Sequence, residues 1–218
     1  MAAEPSTKAL GTLIVFAREP TPGQVKTRLI PALGPEGAAR LYRTLLGVAF
    51  EAAAGVPGVR RELWCAGAPP DGGVCSELAG RFRMTLRRQP AGDLGERMGG
   101  ALAEALTRSE RAVLIGSDCP EYSPAYLASA FAALDGEEVV LGPAADGGYV
   151  LIGLRRMAPE LFAGIPWGTD SVLARTRAAL RGLGRTWAEL PTLRDLDRPE
   201  DLKDFPHLLD DDGAHYRD

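Results

Sequence analysis

Histidine is almost missing from this sequence: there are two in 218 residues, His207 and His215, both near the C-terminus. A Ser–His–Asp triad or a histidine-rich zinc site would have to be built from that end alone, which argues against both. Cysteine is scarce too. Cys65, Cys75 and Cys119 form no C-x-x-C pair, and an odd count of this kind reads as reduced thiols rather than a disulfide framework. No apolar run reaches the roughly 18 residues that a membrane-spanning helix needs. A basic surplus is also lacking, with 25 Lys+Arg against 29 Asp+Glu and a net charge of −4. Duplex-binding proteins gain affinity from a basic face that releases counterions, so neither nucleic acid nor membrane is an expected partner. Met1–Leu10 holds Glu4, Pro5 and Ser6 and no long apolar stretch, and the expectation is a cytoplasmic protein.

What is present is globular: 45% hydrophobic and 25% charged residues, enough to bury roughly 70% of the unfolded surface without a metal or disulfide staple. One domain is expected over residues 10–206, with flexible tails at 1–9 and 207–218. Strands are expected at Leu13–Phe16, Glu62–Ala66, Phe82–Arg87, Ala112–Ile115, Val139–Leu141, Tyr149–Leu154 and about Thr186–Leu190. The third alternates apolar Phe82, Met84 and Leu86 with polar neighbours. Helices are expected after Gly34-Pro35, with Leu41, Leu45, Val48 and Ala52 inward and Gly55 as the stop. Another follows Asp93, burying Leu94, Met98, Ala101, Leu102 and Ala105. A third follows Ser123-Pro124, burying Leu127, Ala130, Phe131 and Leu134. The last spans Ser171–Leu183, with Val172, Leu173, Thr176, Leu180 and Leu183 inward. Strands alternating with helices make an α/β fold, a mainly parallel sheet covered on both faces. Ligands in such sheets sit outside the carboxyl ends of the strands.

The loops at those ends carry the chemistry. After the first strand, Gly23 permits close backbone approach while Lys26 and Arg28 supply two cations, a pattern that suits a di- or triphosphate and equally a solvated basic turn. The G-x-x-x-x-G-K-[ST] spacing of a P-loop is absent. Asp93, with Glu96 three residues on, suits a capping box. Arg97 lies opposite the apolar stripe of its helix. In Ser117-Asp118-Cys119-Pro120, a carboxylate directly after a buried strand demands a donor, a cation or a metal, or else caps the next helix. Cys119 has no histidine near it in sequence and reads as packing. Asp195 and Asp197 stand two apart, ahead of Glu200 and Asp201. If Pro199 starts a helix, Asp197 is a candidate cap. If the pair instead meets Asp118 across the sheet top, two carboxylates ~4 Å apart repel by about 4 kcal/mol at an effective dielectric of 20. A bound cation reverses that, and all-oxygen donors favour Mg²⁺ or Mn²⁺. Asp146-Gly147-Gly148-Tyr149 is an ordinary hairpin signal, with Asp146 a candidate for the cleft.

Five ordered blocks resemble a bacterial family. They are Phe16-Ala17-Arg18-Glu19-Pro20 running into Gly23–Leu29, Gly92–Met98, Ile115–Pro120, Gly142-Pro143 with Asp146–Tyr149, and Asp195–Leu202. The family is the DUF2064 group, also called selenodomain-associated transferases, and the resemblance covers roughly residues 11–205. It implies a three-layer α/β/α Rossmann-like fold of the glycosyltransferase-A kind and a divalent-metal-dependent transferase. By that resemblance Ser117-Asp118 occupies the place of the D-x-D motif of metal-dependent glycosyltransferases. Asp197 or Asp195 falls where related nucleotidyltransferases place a second metal ligand. The opening loop differs from their L-x-G-G-x-G-x-R-M pattern.

The resulting expectation is a transferase that uses a nucleoside-diphosphate sugar with Mg²⁺ or Mn²⁺ and passes the glycosyl group to a small-molecule acceptor. Asp118 and Asp197 hold the metal, with Asp195 in reserve. Lys26 and Arg28 neutralise phosphate charge. Gly23, Asp93, Arg97 and Ser117 complete the nucleotide and phosphate contacts, and Asp146 activates the acceptor hydroxyl. Two alternatives are a guanylyltransferase-like nucleotidyl transfer from a nucleoside triphosphate to a phosphorylated acceptor, and a non-catalytic nucleotide-binding module.

Overall fold

The computed structural model describes residues 9–67 and 72–209. Most of the two expected tails, and part of the turn expected around Pro69–Gly73, fall outside the described residues. Within them, Ala9 bridges to Ser109 and Leu208 is buried.

Seven strands form one sheet: β1 (Thr12–Arg18), β2 (Arg60–Ala66), β3 (Thr85–Arg88), β4 (Ala112–Ile115), β5 (Val139–Pro143), β6 (Tyr149–Leu154) and β7 (Trp187–Glu189). Their order is β3-β2-β1-β4-β6-β5-β7. Only β6 runs against its neighbours. The helices are α1 (Ile30–Ala54), α2 (Val74–Arg81), α3 (Leu94–Arg108), α4 (Pro124–Gly136) and α5 (Val172–Gly182).

The period of two along β1 explains the layers. Leu13, Val15 and Ala17 pack against α1, α2 and α4, whereas Ile14 and Phe16 point through the sheet to α3 and α5. A third apolar cluster joins Leu29, Leu41 and Leu45 to Leu196, Phe205 and Leu208. The outer face of α1 is thereby covered by the chain that follows β7. The fold is α/β with a mainly parallel mixed sheet between two helical layers.

Several local expectations change. α1 begins before Gly34, whose φ of 70° breaks the helix and admits only glycine without strain. Pro35 then opens the long segment, as its fixed φ favours. The short helix α2 was not expected from the sequence, because its apolar residues Cys75, Leu78 and Ala79 make one brief stripe. Phe82 and Arg83 belong to the end of α2, and the following strand starts only at Thr85. Leu94 (37% exposed) and Leu183 (39% exposed) are not core residues. Asp197 does not cap the turn at Pro199. Asp201 reaches back instead, accepting hydrogen bonds from the Asp197 and Arg198 amides at 2.9 and 2.7 Å.

Topology fixes where a ligand can go. The chain runs outward from β1 to β2 and β3, then returns to add β4 on the other side of β1. The crevice of such a sheet opens at this reversal, between the carboxyl ends of β1 and β4. Because β6 is antiparallel, the turn that joins β5 to β6 lies at the same edge.

Candidate active site

A cavity of about 560 Å³ occupies that crevice. Four segments supply its charged wall. The loop after β1 brings Lys26 and Arg28, and the end of β4 brings Ser117 and Asp118. The β5–β6 turn brings Asp146, and the segment after β7 brings Asp195 and Asp197.

The last segment reaches the site through a run of backbone hydrogen bonds. Leu193 N–H donates to the Pro143 carbonyl at 3.0 Å, and Ala145 N–H returns a bond to Leu193. Leu196 N–H donates to the Asp118 carbonyl at 3.1 Å. The Leu196 side chain is fully buried in the third apolar cluster. In extended chain, neighbouring side chains alternate, so Asp195 and Asp197 both turn toward the cavity.

Lys26 is the hub. Its side chain is 3% exposed, with Nζ 3.3 Å from Asp118 Oδ1 and 3.6 Å from Asp197 Oδ1. It donates to the Leu196 carbonyl at 2.5 Å. Its backbone sits in the left-handed region, φ 47°, a conformation that costs a non-glycine residue roughly 1–2 kcal/mol. Three oxygen partners hold it there. Arg28 pairs with the other oxygen of Asp197. Because Asp118 Oδ1 and Asp197 Oδ1 share one nitrogen, they lie at one locus, but Asp118, Asp195 and Asp197 do not form a closed cage. Among the described residues, only Glu19, Cys65 and Cys75 bring three ligating atoms within 4.8 Å of one another.

Asp195 faces a different neighbour. Burial, and then the Asp146 carboxylate, push its pKa up to about 6. Asp146 is exposed and turns one oxygen back to the Gly148 amide at 2.8 Å. Asp118, with a side chain 51% exposed, together with Asp146, Asp195 and Asp197, offers oxygen donors alone. Such a donor set fits a hard divalent ion. Asp118 and Asp197 already share Lys26, and Arg28 pairs with Asp197 as well, so a cation that enters here competes with or displaces those pairs.

Hydrogen-bond direction can be assigned at Ser117. The Arg18 amide, a donor only, points at Tyr42 Oη at 3.0 Å. Tyr42 Oη and Ser117 Oγ are 2.8 Å apart. With Tyr42 buried, its proton is best spent on Ser117. The Ser117 hydroxyl proton is then available to an acceptor in the cavity.

The other half of the cavity is apolar, formed by Phe16, Leu94, Met98, Leu114 and Tyr149. Arg97 stands at its border. Its Nη1 donates to Gln89 Oε1 at 3.1 Å, and the Gln89 amide nitrogen is fixed by the Ala17 and Trp64 carbonyls at 2.9 Å each.

Lys26, Arg28, Arg97, Ser117, Asp118, Asp146, Asp195 and Asp197 thus line one cavity. Gly23 and Asp93 are not among its lining residues. Gly23 shapes the loop at φ 79°, and Asp93 caps α3 in a capping box with Glu96. Arg18, Tyr42 and Gln89 belong to the site and were not foreseen. Tyr42 looks like any half-polar residue on a helical stripe, and no sequence signal marks it. Cys119 is buried, its thiol pushed up to about 12 chiefly by burial and donating to the Arg194 carbonyl, which suits packing rather than nucleophilic attack.

Among solved structures, a Desulfovibrio desulfuricans G20 protein, whose assignment as a nucleotide-diphospho-sugar transferase is itself provisional, is 28% identical, with a TM-score of 0.79 over 91% of this chain and 96% of its own. CMP:2-keto-3-deoxy-manno-octonic acid synthetase complexed with CTP shares the fold at 11% identity and a TM-score of 0.57, over 92% and 98% of the two chains. A Mycobacterium tuberculosis H37Rv protein in complex with manganese does so at 20% identity and a TM-score of 0.55, over 92% and 98%. No protein of curated function matches significantly. The model of the family described as uncharacterized proteins conserved in bacteria, DUF2064, matches residues 49–169, more than half of the sequence, and the chain belongs to that family.

Proposed function

We propose that this chain is a nucleotide-utilising transferase that binds a nucleoside-diphosphate sugar together with Mg²⁺ or Mn²⁺ and passes the glycosyl group to a small-molecule acceptor. The observation that carries the reading is the convergence of Lys26, Arg28, Asp118, Asp146, Asp195 and Asp197 on one cavity at the sheet's reversal point. Four cations, Arg18, Lys26, Arg28 and Arg97, and four aspartates line that cavity. A diphosphate and its divalent ion enter it with little change in net charge.

Asp118 and Asp197 would hold the ion, with Asp195 beside them. The ion supplies charge neutralisation on the diphosphate, which is the leaving group. Lys26 and Arg28 stabilise the negative charge that develops there, in a partly water-excluded site where fixed charges are worth most. Ser117 donates a hydrogen bond to a phosphate oxygen. The apolar wall with Arg97 and Gln89 receives the flat base. Asp146, exposed at the cavity near Asp195, accepts the acceptor's hydroxyl proton. The domain that performs this takes in residues 10–206 together with Ala9, which bridges to Ser109, and Leu208, which packs in the third apolar cluster.

Nucleotidyl transfer from a triphosphate is the second reading, supported by the likeness of this fold to a CTP-complexed synthetase. A thermal-shift screen of nucleotide sugars and triphosphates, with and without Mn²⁺, followed by product analysis, separates the two. Metal-dependent stabilisation by a nucleotide sugar and release of a nucleoside diphosphate support glycosyl transfer. Pyrophosphate release in the presence of a phosphorylated acceptor replaces it with the second reading.

A further inference from the structure

Outside the cavity, the cluster at Glu19, Cys65 and Cys75 has the composition of a metal site that the transferase reading does not use. The three residues come from separate segments: the end of β1, the interior of β2 and the first turn of α2. Both cysteines are fully buried, and one ligating atom from each residue lies within 4.8 Å of the other two.

We propose that Glu19, Cys65 and Cys75 form a structural binding site for a thiophilic divalent cation of the Zn²⁺ class, with the Arg18 carbonyl as the fourth donor. Tetrahedral zinc binds sulfur at about 2.3 Å and oxygen at about 2.0 Å, which sets adjacent donors roughly 3.3–3.8 Å apart. Cys75 Sγ already lies 3.5 Å from the Arg18 carbonyl oxygen. The three side-chain donors need to draw together by no more than about 1–1.5 Å to reach that spacing.

The outer shell is in place. Glu19 Oε1 accepts from Val74 N–H at 2.6 Å and Oε2 from Cys75 N–H at 3.3 Å. A carboxylate oxygen has two lone pairs, so each retains one for a cation while the amides fix its orientation. Gly73 makes room for it, since a Cβ there would stand 3.0 Å from Glu19 Oε1. Glu19 also ends the backbone of α2, which has no side-chain cap from its own N-cap residue. That role accounts for a carboxylate, but not for two thiols converging on it.

Cys65 Sγ donates to the Ala66 carbonyl and Cys75 Sγ to that of Arg18. On binding, two S–H bonds break, two protons pass to solvent, and two sulfur–metal bonds form with no change in oxidation state. Two thiolates, one carboxylate and a divalent cation leave a single negative charge. The bound ion would pin Arg18 and Glu19, the segment that opens into the Lys26 loop.

The test is titration of the reduced, chelator-stripped full chain with Cd²⁺ and with Zn²⁺. The expected result is one equivalent bound per chain, with two protons released and the ultraviolet sulfur-to-cadmium charge-transfer band appearing. Cys65→Ser and Cys75→Ser should each weaken binding at least tenfold, and Cys119→Ser should leave it unchanged. If a cysteine variant fails to fold, the rate at which a thiol reagent modifies the wild-type chain in urea, where opening exposes the buried thiols, gives the same readout: Zn²⁺ should protect two of the three. Absence of the band and of thiol protection, binding that depends on Cys119, or a Cys65–Cys75 disulfide in place of metal uptake would each overturn the site. Nucleotide binding is not the readout, so failure here leaves the transferase reading untouched.

Discussion

Lys26 and Leu196 stand 170 residues apart in sequence and 2.5 Å apart in space, the lysine ammonium donating to the leucine carbonyl. Through this bond the loop after β1 and the segment after β7 are held as one wall. Replacing Lys26 by Met keeps the aliphatic stem and removes the charge. The buried carbonyl then lacks its partner, which costs about 1–3 kcal/mol. Asp118 and Asp197 add little to that loss, because both reach solvent. Urea unfolding should show a drop of this size, and calorimetry should show nucleoside-diphosphate binding reduced at least tenfold. Unchanged binding would remove Lys26 from the phosphate contacts.

Asp118 separates function from stability. Its side chain is half exposed and it pairs with Lys26, so Asp118→Asn should change stability by less than about 1 kcal/mol. Thermal melts without ligand should therefore coincide with wild type. The additional stabilisation by Mn²⁺ plus a nucleoside diphosphate, about 2.7 kcal/mol at 100 times the dissociation constant, should vanish. Retention of that increment would exclude Asp118 as a metal ligand.

The contrast between these two residues shows what the sequence made legible. Asp118 was visible because a carboxylate follows directly on the apolar run Ala112–Ile115, a position that burial alone would penalise. The alternation of apolar runs with helical stripes likewise made the layered sheet legible, and Asp93 and Ser123-Pro124 marked true helix starts, whereas Gly34-Pro35 marked a break inside α1. The pairing of Lys26 with Asp118 and Asp197 was not visible. It depends on Leu196 being drawn into an apolar cluster with α1, a long-range packing event that turns the flanking aspartates inward. Tyr42 and Gln89 were hidden for the same reason, since each earns its place through partners 70 or so residues away. The helix α2 escaped because eight residues carry barely two helical turns of pattern.

Tyr42 offers a test of hydrogen-bond direction. Tyr42→Phe removes the acceptor of the Arg18 amide and the donor to Ser117 together. A stability loss of about 1–3 kcal/mol is expected from the amide left without a partner. Ser117 is then free to rotate, and affinity for the diphosphate should fall severalfold. Ser117→Ala should lower affinity by a similar factor while costing less stability, because Tyr42 keeps the Arg18 amide. If Ser117→Ala leaves affinity intact, its hydroxyl does not point at a phosphate.

Asp195 makes stability depend on pH in a direction opposite to that of a salt-bridged carboxylate. Burial, and then the facing Asp146, raise its pKa to about 6, against about 3.9 in an unfolded chain. Between these values the folded protein holds a proton that the unfolded chain has released. Stability therefore falls as pH rises from about 4 to 6, and the deficit persists above that window. Two units correspond to about 3 kcal/mol for a fully sealed group, and partial solvent access reduces the expectation to about 1–2 kcal/mol. In metal-free protein, Asp195→Asn should raise the unfolding free energy from urea titration by this amount at pH 7.5 and leave it unchanged near pH 4. Saturating Mn²⁺ should remove the advantage of the asparagine, because an ion beside Asp195 favours its ionised form. A variant equally stabilised at both pH values would show that the Asp195 carboxyl does not titrate high in the fold, and indifference to Mn²⁺ would place the ion away from Asp195.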